Sequence, residues 1–305
     1  MALRKDIWRC GIARVSLTAV LTRGSLAGAD VVWLPDPGPF RFLADPFGLW
    51  RDGQLHVFAE AYDYRVRIGT IERFTYDRDL RLLDRGPALA EPWHLSYPLV
   101  FEWQGETWML PEAHRGGKLT LYRASDFPTG WTPAARIDLP QVPVDATPVF
   151  HQDRWWLLYC PATSEFDKQG TLHAASAERL EGPWTPHPGN PIRRGLDGSR
   201  PGGRAISDGN SILLPVQDCR RTYGGALRIL RLKLTPATAA HEIGDAIAPP
   251  NDVAPFDRGL HTLSEAGPVT LFDVKRVDLS PRGVLLEAAR EWRKLRAHGL
   301  KRLPV

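Results

Sequence analysis

The sequence predicts an all-β fold, a five-bladed β-propeller with a C-terminal α-helix, because one pattern recurs about every fifty residues. In three places a polar strand start is followed fifteen residues later by the end of a second strand: Asp45 to Glu60, Tyr97 to Glu112 and Asp145 to Cys160. Turn residues separate two apolar runs in each unit, as in a hairpin. A repeat of this length is typical of four-stranded propeller blades.

The composition fits one domain with many turns. The chain has 305 residues, 43% of them hydrophobic, and contains 27 Gly and 27 Pro. A strand is predicted over 7–15, and a short helix up to Gly24. The predicted blades then cover 31–85, 86–138, 139–188, 189–236 and 237–280. We therefore assign residues 1–282 to the propeller.

A basic amphipathic helix is predicted over 283–305. Apolar residues recur there at three- and four-residue steps: Leu285, Leu286, Ala289, Trp292 and Leu295. This apolar face is expected to dock on the propeller. The basic residues between them, Arg290, Arg293, Lys294 and Arg296, either remain solvated or contact an anionic membrane surface.

Charge and cysteine content indicate the class of partner and the compartment. The net charge is +4 and the basic residues are scattered, so no nucleic-acid partner is expected. Three widely spaced cysteines favour a reducing compartment over a disulfide framework. The N-terminal segment lacks a convincing cleavage site for a signal peptide. We expect a cytoplasmic protein, with membrane contact limited to the C-terminal helix.

Two carboxylates occupy the same point of two repeats. The innermost strands of a propeller start near its axis, so Asp45 and Asp145 are expected to meet at one end of the channel. Carboxylates in such proximity shift each other's pKa values and suit paired acid/base roles at a glycosidic centre. The alternative is that both residues cap ordinary turns at the strand starts.

These motifs resemble the five-bladed propeller superfamily of arabinanases, xylosidases and fructan-processing glycosidases. The resemblance rests on 44–47 (Ala-Asp-Pro-Phe), on Asp145 and on the outer-strand Gly-Pro-Trp of 182–184. It implies that Asp45 is the base and that Asp145 is an orienting carboxylate. The superfamily's acid, a fourth-blade Glu, has no counterpart in 198–204, which reads Gly-Ser-Arg-Pro-Gly-Gly-Arg.

A longer resemblance is to the N-terminal domain of glucosamine inositolphosphorylceramide transferases. It rests on several short motifs, at 8–13, 42–47, 58–64, 109–113, 200–203, 217–219 and 223–224. In the plant proteins of that family this domain resembles a glycosidase propeller, and a transferase domain lies C-terminal to it. The resemblance implies a carbohydrate-active protein.

Without the fourth-blade Glu, either another carboxyl acts as the general acid or the reaction needs no acid from the protein. Glu112, or Glu60 at the equivalent strand end, is an alternative acid, although carboxylates at strand ends are often structural. Arg200 and Arg204 suit a phosphate or carboxylate on the substrate, because a diphosphate leaving group needs no protein acid. They are alternatively structural partners of Asp45, Asp145 or Asp218.

Further residues are candidates for contact with a sugar. They are Asp63, Trp93, His114, Asp218, Tyr223 and His261, with Trp93 as a stacking platform. No histidine pair has metal-ligand spacing, so no catalytic metal and no cofactor are expected, while a structural Ca²⁺ in the channel remains open.

Three functions follow as alternatives. The first is glycosyl transfer in the biosynthesis of a cell-surface glycan or glycolipid, with a phosphate-bearing donor or acceptor. The second is glycoside hydrolysis of the arabinanase and xylosidase type. The third is non-catalytic carbohydrate binding.

Overall fold

A computed structural model describes residues 4–116 and 118–300, with side chains omitted at 282, 291 and 293–300. Within these residues the strands form five antiparallel sheets, which are the blades of the predicted propeller. The N-terminal segment contains β1 (Lys5–Ala13), α1 (Leu17–Arg23) and β2 (Val31–Trp33). Ser16 caps α1, which ends at Gly24, as predicted.

The first two blades follow the predicted hairpin pattern. The strands of blade one are β3 (Arg41–Arg51), β4 (Gln54–Asp63), β5 (Ile68–Tyr76) and β6 (Leu82–Leu89). Those of blade two are β7 (Ser96–Trp103), β8 (Glu106–Glu112), β9 (Leu119–Asp126) and β10 (Gly130–Ile137). A 3-10 turn, His114–Gly116, follows β8.

The next two blades are less regular. Blade three consists of β11 (Pro143–His151), β12 (Arg154–Pro161), β13 (Thr171–Ala177), β14 (Thr185–Pro186) and β15 (Arg193–Arg194), with α2 (Asp167–Gly170) before β13. In blade four the inner strand is split into β16 (Arg200–Pro201) and β17 (Ile206–Asp208). Both pair with β18 (Ser211–Asp218), which is followed by β19 (Ala226–Leu234) and β20 (Ala239–Ala246).

The fifth blade corrects the predicted bounds. Its two inner strands are β21 (Leu263–Ala266) and β22 (Val269–Asp278), whereas its outer strands are β1 and β2 from the N-terminus. The prediction of a blade over 237–280 was therefore wrong, since β20 belongs to blade four. Pairing of β1 with β22 closes the ring over nine residue pairs, Lys5 with Asp278 through Ala13 with Thr270.

The first three inner strands contain the same bulge. The pairing register shifts between Ala44 and Phe47 in β3, and equivalent shifts occur in β7 and β11. At the bulge, Asp45, Tyr97 and Asp145 have φ angles of 51°, 46° and 49°. Asp tolerates this left-handed conformation better than most residues. The repeated sequence pattern thus marks one repeated backbone distortion that re-aims side chains near the axis.

The C-terminal helix α3 (Pro281–Leu300) begins two residues before the predicted start, and 301–305 lie outside the described residues. Contrary to the prediction, the side chains of Leu285 and Trp292 face outward, 69% and 57% exposed. The docked face instead presents Glu287, whose carboxylate is 2.8 Å from Lys5 Nζ and 2.9 Å from a guanidinium nitrogen of Arg67. The predicted basic side chains at 293, 294 and 296 are outside the described side chains.

Apolar side chains between adjacent blades form the core. The largest cluster joins blades one to three and includes Phe47, Leu110 and Trp155. Among the described residues, no helix is long and apolar enough to cross a bilayer.

Blades four and five approach closely at Gly203, and this contact gives a test of the fold. A Cβ at this position would lie 1.8 Å from the backbone oxygen of Leu263, and φ is 145°. We expect Gly203→Ala to lower the free energy of unfolding by about 3 kcal/mol, measured by urea denaturation.

Gly244→Ala in β20 is the matched control, because its Cβ would meet only Ile229 O at 3.5 Å. Its effect should stay within about 0.5 kcal/mol. Equal stability of the two variants would contradict the close approach of the blades.

Candidate active site

A pocket of about 430 Å³ lies where the inner strands start. Eight of the predicted site residues line it: Asp45, Glu60, Glu112, His114, Asp145, Arg200, Tyr223 and His261. The expected convergence of Asp45 and Asp145 is therefore observed. Trp8, Phe42, Tyr62 and Tyr64 add an aromatic wall.

Four other predicted residues do not line this pocket. Asp63 is paired with Arg41 and Arg65, and Asp218 with Arg220 and Arg228. These arginines are at nearby sequence or register positions, so both carboxylates are occupied by local ion pairs.

Trp93 and Arg204 are also placed elsewhere. The Trp93 ring lies against Gly116 in a separate surface depression. Arg204 is partly buried in blade four and donates a hydrogen bond to the carbonyl of Val100 in blade two. Arg204 therefore holds two blades together instead of facing the pocket.

Strand register reveals a site residue that the sequence analysis missed. Glu60 and Glu112 pair with Ala44 and Ser96, the residues just before the bulges. In blade five Phe272 pairs with Leu263, the first residue of the inner strand. The following residue, Asp273, therefore lies at the same end of its blade as Glu60 and Glu112 do in theirs. The available signal was a largely apolar run, 269–272, followed directly by an acidic residue, as in the runs that precede Glu60 and Glu112.

Asp45 is fixed by hydrogen bonds from two other blades. Its Oδ1 accepts a hydrogen bond from Thr262 Oγ1 at 2.7 Å, and its Oδ2 accepts one from Tyr97 N at 3.2 Å. Burial and the nearby carboxylates of Asp273 and Asp145 raise its pKa to about 6, against the opposing effect of His261. Asp45 can thus change protonation state near neutral pH.

His261 connects Asp45 to Asp273. Its Nδ1 is 2.7 Å from Asp273 Oδ2, and its Nε2 is 3.6 Å from Asp45 Oδ1. Burial lowers the pKa of His261, but the two carboxylates together raise it by more than burial lowers it. The net upward shift favours the imidazolium. Trp8, from the N-terminal strand, stacks on this ring with centroids 3.6 Å apart.

Asp45, His261 and Asp273 are also the described residues that best resemble a metal site. Their ligand atoms lie within 4.8 Å of one another. However, His261 and Asp273 contact each other at hydrogen-bond distance, and Asp273 Oδ2 also accepts the Asp45 N–H at 2.9 Å. The arrangement fits a hydrogen-bonded network, and a channel Ca²⁺ stays an untested prediction.

Asp145 and Arg200 form a buried ion pair of 2.7 Å. The same guanidinium also donates to Lys168 O at 3.0 Å and to Tyr223 Oη at 3.4 Å. Burial raises the pKa of Asp145, an effect that Arg200 opposes. Most of the hydrogen-bonding capacity of Arg200 is therefore used within the protein.

Glu112 and Glu60 have opposite electrostatics. Burial raises the pKa of Glu112, but hydrogen bonds from His114 and Ser96 outweigh it and lower the pKa to about 2. Such a carboxylate is ionised at neutral pH, which does not suit its predicted role as acid. Burial and the charges of Asp45 and Glu112 instead hold the pKa of Glu60 well above its usual range.

His94 is the neighbour of Glu60 and was not singled out from the sequence. Burial lowers its pKa to about 4, so the ring is neutral. Its Nδ1 accepts a hydrogen bond from Gly69 N at 2.9 Å, which assigns the ring proton to Nε2. Nε2 is 3.7 Å from Glu60 Oε1.

Comparison with solved structures supports the fold. Zg3597, a family 117 glycoside hydrolase of Zobellia galactanivorans, matches with a TM-score of 0.54 at 15% identity, over 79% of this chain and 86% of that one. The catalytic domain of the Coprinopsis cinerea GH62 α-L-arabinofuranosidase matches with a TM-score of 0.56 at 13% identity, over 79% and 93%. At these identities the likeness shows the fold.

Sequence comparison identifies the family. Glucosamine inositolphosphorylceramide transferase 1 of Arabidopsis thaliana is 34% identical over 209 residues, 67% of this chain and 27% of that protein. The protein of the same name from Oryza sativa subsp. indica is 36% identical over 203 residues, 65% of this chain and 27% of its own length. This chain thus spans about a quarter of the length of these relatives. Residues 31–248 match the model for glucosamine inositolphosphorylceramide transferase 1, N-terminal, and the chain belongs to that family.

Proposed function

We propose that the pocket is the active site of a carbohydrate-active enzyme that breaks a glycosidic bond and passes the glycosyl unit to water or to another hydroxyl. The observation that carries the proposal is a pair of buried carboxyls in one pocket: Glu60, whose pKa is held well above its usual range, and Asp45, whose pKa is raised to about 6. A carboxyl that can give a proton beside one that can accept a proton is the requirement for acid/base catalysis at a glycosidic bond.

The roles of the two carboxyls follow from their protonation states. Glu60 donates its proton to the leaving oxygen as the glycosidic bond breaks. Asp45, when ionised, accepts the proton of the attacking hydroxyl. Asp145 remains paired with Arg200 and orients neighbouring groups. Glu60 thereby takes the place of the acid that blade four lacks.

His94 supports Glu60 as a positioning residue. Its Nε2, which carries the ring proton, is 3.7 Å from Glu60 Oε1, so a small closing movement would let it donate to that oxygen and leave the acid's own proton on Oε2. A neutral imidazole adds no positive charge that would ionise Glu60. Phe42, Tyr62 and Tyr64 offer rings against which the apolar face of a sugar can pack.

Transfer from a phosphate-bearing donor during glycolipid synthesis is the second candidate. The names of the plant relatives favour it, and Arg4 and Arg115 line the pocket. Arg200 and Arg204 support it less than expected, because their guanidiniums bind Asp145 and Val100 O. Non-catalytic carbohydrate binding is the outcome in which the unchanged protein binds glycans and turns over none of the substrates below.

The acid role of Glu60 is tested by Glu60→Gln on a panel of aryl and alkyl glycosides, with water or added alcohols as acceptors. We expect kcat for alkyl glycosides to fall by about 10²- to 10⁴-fold, because their leaving oxygen needs a proton. Dinitrophenyl glycosides, whose leaving group needs no acid, should react almost as fast as with the unchanged enzyme.

Glu112→Gln is the matched control, since Glu112 lines the same pocket in the ionised state. Any decrease in kcat of this variant should be the same for alkyl and dinitrophenyl glycosides. An equal effect of Glu60→Gln on both substrate classes would exclude Glu60 as the acid.

The pH dependence of kcat/KM tests the pair together. The rate should rise through a midpoint near pH 6, where Asp45 loses its proton. It should fall again at higher pH as Glu60 loses its proton, because the pKa of Glu60 is raised. Glu60→Gln should retain the acid limb and lose the alkaline limb. A profile without an acid limb would rule out Asp45 as the base.

A further inference from the structure

A second cavity, of about 610 Å³, lies beside the loop between β18 and β19. Its lining includes four arginines and two aspartates: Arg220, Arg221, Arg228, Arg258, Asp218 and Asp257. We call it the cationic cavity. It is distinct from the pocket described above, although it contains the predicted site residue Asp218.

The two carboxylates do not balance the four guanidiniums. Asp218 binds both Arg220, at 2.6 Å, and Arg228, at 3.0 Å. Asp257 is 3.3 Å from the Arg258 guanidinium. Arg221 makes no ion pair or side-chain hydrogen bond with the residues that the structure describes, so its donors are available to a ligand.

The cationic cavity adjoins the pocket. Thr222 lines the cavity, whereas the next residue, Tyr223, lines the pocket. Arg4, which lines the pocket, donates a hydrogen bond to Thr222 Oγ1 at 2.7 Å. Lys275, fully buried behind this wall, donates to Tyr223 O. Thr222 and Tyr223 therefore form part of the wall between the two spaces.

We propose that the cationic cavity binds a phosphate group carried by the molecule whose sugar occupies the pocket. Guanidinium groups bind phosphate oxygens through paired, charge-assisted hydrogen bonds, and here two arginines are already held in place by Asp218. The cavity's selectivity for phosphate stands on its own, and only the placement of the sugar rests on the proposed function.

Calorimetric titration with inorganic phosphate at low salt tests the cavity directly. Arg221→Gln and Arg220→Gln should each weaken binding roughly tenfold, the loss expected for one charge-assisted hydrogen bond. Arg81→Gln is the matched control, because Arg81 is an exposed arginine of blade one, outside both cavities. Its phosphate affinity should be unchanged.

Glu60→Gln separates this proposal from the catalytic one, because it should leave phosphate binding intact. Two further probes identify the source of the phosphate: glucose 1-phosphate, and phosphatidylcholine vesicles with or without phosphatidylinositol. Binding of either probe that depends on Arg221 supports the proposal. No phosphate binding, or equal weakening by Arg81→Gln, would overturn it.

Discussion

A closed set of hydrogen bonds around the propeller axis determines the rest of the structure. Asp45 accepts the N–H of Tyr97, and the Tyr97 hydroxyl contacts Thr147 and both backbone groups of Gly203. Leu263 N then donates to Gly202 O, and Thr262 Oγ1 returns to Asp45. Because buried polar groups without partners are costly, each blade is held at a fixed distance from the axis. The bulges at Asp45, Tyr97 and Asp145 are the local geometry that makes these contacts possible.

This arrangement also sets the electrostatics of the pocket. Inner strands that converge on the axis concentrate carboxyl groups where water is scarce, and most of these groups have a basic neighbour. Asp45 has His261, Asp145 has Arg200 and Glu112 has His114. Glu60 lies beside the neutral His94, and its burial and the nearby carboxylates raise its pKa against the opposing charge of Arg115. The pocket thus contains one carboxyl, Glu60, whose pKa is held well above its usual range without an ion-pair partner of the kind that Asp145 and Glu112 have.

Much of the site could be predicted from the repeated sequence pattern. Residues at one point of successive blades must converge, which placed Asp45, Asp145, Glu60 and Glu112 together without a structure. The pattern could not show that N-terminal strands complete blade five, and so Trp8 was missed. It also could not show which groups the charged side chains contact. Arg204 donates to a backbone carbonyl, and Asp218 forms ion pairs with two arginines outside the pocket. The outward face of α3 was mispredicted because one buried carboxylate, Glu287, outweighs the apolar periodicity.

The protonation state of Glu60 is the central claim, and infrared difference spectroscopy measures it directly. At neutral pH the unchanged protein should show the carbonyl stretch of a protonated carboxylic acid, and the Glu60→Gln variant should lack it. A spectrum without this band, or a band that persists in the variant, would contradict the assignment of Glu60 as the proton donor.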